Sequence, residues 1–162
     1  MFHMKHNLRS GDQCDEYLLI TTHRATMTPA AHSMKLVGTG SGFDLALESL
    51  LRAAIDLISP LPSDQSANRS IRFRAEASTR EELVRACLEN IVTEIAAFDA
   101  CPAAITLDGI RPIDNGYRAW GSLFLDPERG PRQRLLIESS PIIDLGSERC
   151  NISVAVLVAQ EL

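Results

Sequence analysis

The feature that most limits how this chain can fold is a change of hydrophobic period at residue 78. Residues 70–77, SIRFRAEA, alternate strictly, with Ile71, Phe73, Ala75 and Ala77 on one side and Arg72, Arg74 and Glu76 on the other. A period of two is that of a half-buried strand. Immediately afterwards Ser78 and Glu81 stand at capping-box spacing, and Leu83, Val84, Cys87, Leu88, Ile91, Ile95 and Phe98 recur at helical period. That pattern predicts a helix of about twenty residues running to Phe98. A strand and a helix joined so tightly must bury their apolar sides in one shared layer.

The flanking segments extend the same logic. Ser41 and Asp44 precede a second periodic run, predicting a helix over 44–58 whose stripe is Leu47, Leu50, Leu51, Ala54, Ile55 and Ile58. Ser-Pro-Leu-Pro at 59–62 ends it, because proline cannot donate the next hydrogen bond. Extended segments are expected at 17–27 and, after an interruption at Pro29, over AAHSMKLVG to about residue 38, and the polar first sixteen residues are expected to be loose. Beyond residue 102 the chain reads as β throughout. AAITLDGIRPI and YRAWGSLFL flank Asp114-Asn115-Gly116, a hairpin signal, and RLLIESSPIIDL leads through a turn at GSER to CNISVAVLVA. Connections this short exclude parallel crossovers. The expected architecture is therefore α+β, two helices packed on mainly antiparallel β-sheets, in a single domain over 17–162.

Composition bounds the function classes. An apolar fraction of 45% and a charged fraction of 23% are those of a soluble globular protein. No apolar run approaches a membrane span and no secretory stretch opens the chain, so a cytoplasmic protein is expected. Sixteen basic against twenty-one acidic residues leave a net charge of −5, which argues against direct nucleic-acid binding. Of the basic residues only Lys5 and Lys35 are lysines, an arginine bias read here as compositional. Cys14, Cys87, Cys101 and Cys150 are scattered, without the paired spacing of a zinc or redox site, and Cys87 belongs to the helical stripe.

No catalytic constellation is evident, and no cofactor or metal is expected from the residues. GTGSG at 38–42 precedes a helix, and the Ser41, Gly42 and Phe43 amides there are candidates for holding an anion. The glycines fail the dinucleotide and Walker patterns, which favours a flexible strand-to-helix turn. His23 and His32 lack carboxylates at ligand spacing. Asp108, Asp114, Asp126 and Asp144 fall near strand ends, where aspartate bonds its local backbone. Trp120, the single tryptophan, is expected to pack on a sheet rather than stack on a base.

Three stretches nevertheless resemble archease, a small α+β family that assists the RNA ligase of tRNA splicing. SGFDLALESLLRAAIDLI resembles its first helix, with Ala53-Ala54 at the centre, and REELVRACLENIVTEIAAFD resembles its second. NGYRAWGSLF, RLLIESSPIIDL and ISVAVLVA resemble its closing strands. The resemblance implies a non-catalytic accessory protein that acts by contact with an RNA ligase or another protein.

The departures fall at the family's metal-binding positions. Its hallmark is a His-Thr-Ala-Asp segment ahead of the first helix. His32-Ser33-Met34-Lys35 lies at nearly the right distance but puts Lys35 where the acid belongs; His23-Arg24-Ala25-Thr26 needs an insertion and puts Thr26 there. A terminal family aspartate is met by Val158-Ala159-Gln160, and a lysine-containing segment by Ile137-Glu138-Ser139. With both acids gone, the resemblance carries over the fold and not the metal site. Two other readings stand beside it: a small-molecule or anion-binding module using GTGSG and nearby arginines, and a structural homo-oligomer. The residues set no oligomeric state.

Overall fold

The computed structural model describes residues 31–59, 69–131 and 133–160. The strand expected at 17–27, the loose segment 1–16, and with them His23 and Thr26 lie outside the described residues. Among the described residues nine elements follow in order: β1 (Ala31–Gly40), α1 (Phe43–Ile58), β2 (Arg69–Ala77), α2 (Arg80–Phe98), β3 (Cys101–Ile113), β4 (Gly116–Asp126), β5 (Gln133–Ile137), β6 (Ile142–Leu145) and β7 (Cys150–Gln160). These strands form two sheets, both antiparallel. In the first, β7 is central, with β1 on one side and β5 and β6 in succession on the other. In the second, β4 lies between β2 and β3.

The expected α+β architecture is what is seen. α1 packs on β1 and β7 and reaches β3, while α2 packs on β2 and β4 and reaches β5. The stripe of α1 is buried throughout, from Leu47 to Ile58, and Ala46 joins it. In α2, Leu83, Val84, Cys87, Leu88, Ile91 and Ile95 are buried. They meet Phe73 and Ala75 of β2 and Leu123 and Leu125 of β4 in one core. Each such Leu or Ile contributes about 1.5–3 kcal/mol by leaving water. Among the described residues no helix is long and apolar enough to cross a membrane.

Local details differ from the sequence reading. Neither capping box forms as spaced. Gly42 is the N-cap of α1, with no side-chain hydrogen bond, and Thr79 rather than Ser78 caps α2, its hydroxyl accepting from Glu82 N at 3.1 Å. The β-region backbone required of an N-cap selects the residue, and here it lies one position later in each case. Phe98, expected in the buried stripe, is 37% exposed, with the Arg69 guanidinium 4.4 Å above its ring. In the β3–β4 hairpin Asp114-Asn115 form the turn, and Gly116 follows at φ 147°, a conformation open to glycine. RLLIESSPIIDL is two strands rather than one. Ile137 pairs with Val156, but Ile142 pairs with Ser153, so two extra residues bulge out around Pro141.

Gly38 and Gly40 explain how α1 sits so close to β1. A Cβ at Gly38 would lie 2.3 Å from the Ala46 carbonyl oxygen, and one at Gly40 would lie 2.5 Å from Ala46 N. The alternate glycines of GTGSG thus let helix backbone press on strand backbone.

Candidate functional site

Of the two segments compared with the family hallmark, His32–Lys35 lies on β1, and the alternation of that strand decides what each residue does. Leu36 turns to the core, whereas Ser33, Lys35 and Val37 face outward from the first sheet. The pairing places Lys35 opposite Ala155, and Val37 opposite Ser153, which in turn opposes Ile142. Ser33 opposes Leu157, which opposes Leu136. His32 opposes Val158 and Ala31 opposes Ala159. The His32–Lys35, 137–139 and 158–160 segments, far apart in sequence, therefore meet on one sheet.

Side chains tie this meeting point together. Ser33 Oγ donates to Glu138 Oε2 at 2.6 Å. Glu138 N donates to the Ala155 carbonyl at 2.9 Å, carrying the β5 ladder one residue further. Ser139 Oγ then accepts from Ala155 N at 3.1 Å, replacing a backbone partner lost at the bulge. A shallow concavity of about 270 Å³ results, lined by Lys35, Ser33, Ser139, Ser153 and Ile142. Around it stand large apolar side chains: Ile142 at 68% exposure, Leu136 at 62% and Val37 at 43%.

This donor set does not suit a divalent metal. A hard cation takes six or more oxygens, several of them anionic. Here Lys35 brings a positive charge, and Glu138, the carboxylate at hand, accepts from Ser33. Among the described residues no group of three or more His, Cys, Asp or Glu is arranged to hold a metal. The chemistry available is instead that of a contact surface, with exposed aliphatic groups beside a cation and hydroxyls.

Other sequence candidates are placed as follows. At the Ser41–Gly42–Phe43 turn, Asp44 already lies in the first turn of α1, so a carboxylate of the chain itself faces the positive helix end. The Phe43 ring lies 5.6 Å beneath the Arg80 guanidinium. Cys87 is buried in the core, as its helical position implies, and burial pushes its thiol up to about 12. Burial also raises Cys150, and Cys101 Sγ lies 2.7 Å from Ser59 Oγ. Asp126 does bond local backbone, accepting from Glu128 N at 3.0 Å. His32 is exposed at the start of β1.

Two groupings escaped the sequence reading. The first is the apolar ring Val37–Leu136–Ile142, which needs the register across three strands to be seen. The second is on the outer face of the second sheet, where arginines treated as compositional surround Trp120. Their alternation in β2 was the available signal. Compared with models of known protein families and with curated proteins, the sequence matches none.

Proposed function

We propose that this chain is a non-catalytic accessory protein of the archease kind, which assists an RNA ligase through protein contact on the outer face of the first sheet. The observation that carries the reading is the convergence of the His32–Lys35 and 137–139 segments around one concavity. The two segments are far apart in sequence, Ser33 and Glu138 being 105 residues from each other. Exposed Val37, Leu136 and Ile142 supply apolar surface that a protein partner covers, and Lys35 and Ser33 supply polar groups in the concavity between them. With lysine in place of the acid, the partner contact is one that metal does not bridge.

The experiment is affinity capture from the native host with the whole chain as bait, scored by mass spectrometry for an RNA ligase. Ligase enrichment that falls in an Ile142→Asp, Lys35→Glu variant of unchanged melting temperature supports the reading. Capture without a ligase, or ligase capture indifferent to that variant, contradicts it.

A further inference from the structure

The outer face of the second sheet collects the charge that the overall composition conceals. Along the central strand β4, Arg118, Trp120, Ser122 and Phe124 project to that side, since Ala119, Gly121, Leu123 and Leu125 between them are buried. Arg74 of β2 lies opposite Trp120, and Arg72 lies opposite Ser122. From β3, Arg111 lies opposite Arg118, beyond a register shift between Leu107 and Gly109. Among the described residues, four guanidinium groups thus share one three-stranded face with two carboxylates, Glu76 and Asp108, in a chain whose net charge is −5.

Their pairing leaves a positive surplus. Glu76 accepts from both Arg74 and Arg118, and these hydrogen bonds hold its carboxyl below the usual range. Asp108 reaches Arg72 at 3.5 Å. Arg111 lies over the Trp120 ring, 5.8 Å from its centroid. Placing Arg111 directly across from Arg118 costs the fold electrostatic energy, because like charges opposed in a sheet repel. The aromatic groups are also specially accommodated. A Cβ on Gly109 would stand 2.6 Å from the indole, so glycine is what allows Trp120 to lie across β3. Phe124 stands four residues along the same face, about 13 Å away at strand rise. Between the arginines and the indole is an open concavity of about 400 Å³.

We infer that this face binds single-stranded nucleic acid, with bases stacking on Trp120 and Phe124 and phosphates met by Arg72, Arg74, Arg111 and Arg118. Guanidinium groups are suited to phosphate, and flat rings on a sheet are suited to unstacked bases. A duplex keeps its bases stacked within itself and cannot offer them to a flat face. An acidic peptide satisfies the arginines but leaves both rings without a matching surface. The inference reverses the expectation drawn from net charge, which averages over the molecule while phosphates are met locally. It uses strands other than those of the proposed protein contact, so either can fail without the other.

Trp120 is the single tryptophan, so its emission reports on this face directly. The whole chain is titrated with a fluorescein-labelled oligouridylate of about twelve nucleotides in about 50 mM salt, following tryptophan quenching and anisotropy together. Saturable quenching with a matching anisotropy rise is expected, together with a log–log salt slope of about −0.7 for each phosphate neutralised. Arg72→Ala with Arg111→Ala should flatten that slope, and Phe124→Ala should weaken binding roughly 5- to 150-fold. Phe124 is partly exposed, and retention of melting temperature checks that its loss leaves the fold intact. No saturable signal up to about 100 µM, or equal binding of polyglutamate, overturns the inference. So does binding that the arginine variant leaves unchanged.

Discussion

A methyl group at Gly38 has nowhere to go. It would meet Ala46 O at 2.3 Å and Leu50 N at 2.5 Å, both backbone atoms that cannot rotate away. Gly38→Ala should therefore cost at least about 1–3 kcal/mol in chemical denaturation, as overpacking does. Gly130→Ala, where the nearest atom is Asp99 Oδ1 at 3.7 Å, should stay within about 0.5 kcal/mol. Equal effects would mean that α1 does not press on β1 as described. Glu76 gives a pH-dependent counterpart. Hydrogen bonds from Arg74 and then Arg118 lower its folded value below the ordinary 4.5. Its contribution is fully present above pH 4.5 and is lost as pH falls through the lower folded value. Melting temperatures of wild type and Glu76→Gln should thus differ most near neutrality and converge in acid; a gap constant with pH would contradict the pairing. At this scale the sequence was only partly legible. The motif GTGSG indicated a flexible strand-to-helix turn, but its glycines serve close packing, which depends on the approach of α1 to β1.

The helices and the β2 strand were the most readable elements, because each writes its burial into a local period. Ile91, at 1% exposure, is the centre of the α2 stripe. Ile91→Ala should cost about 2–5 kcal/mol through lost burial and the cavity left behind. A denaturation loss below about 1 kcal/mol would place that face at a soft boundary. The region 133–145 was less readable. RLLIESSPIIDL carries apolar residues at both ends, and only pairing with β7 reveals the two-residue bulge that divides it. Residues of that bulge, Ser139 above all, build the first-sheet concavity, so its shape was hidden until register was known. Trp120 was expected to pack on a sheet, and it does lie across Gly109, yet its neighbours on the outer face are arginines from three strands.

Among the described residues the class and order of elements followed from short-range patterns, apart from the division of RLLIESSPIIDL into β5 and β6, whereas both candidate surfaces arise from contacts between distant strands. That is why the residues pointed to a layered α+β fold without pointing to a site. The first-sheet surface makes a further prediction about metal. With the Lys35 ammonium at the first-sheet concavity and Glu138 engaged by Ser33, Ca²⁺ or Mg²⁺ titrated to about millimolar concentration should give no saturable heat and no rise in melting temperature. A saturable signal abolished by Glu138→Gln would show that a cation site exists there after all. The central claim, assistance to an RNA ligase through this surface, is tested most directly by multiple-turnover ligation with the purified ligase of the same host. Adding the chain should raise turnover, and the Ile142→Asp, Lys35→Glu variant should lose that effect while keeping its melting temperature. Turnover unchanged at every ratio of chain to ligase would contradict the account.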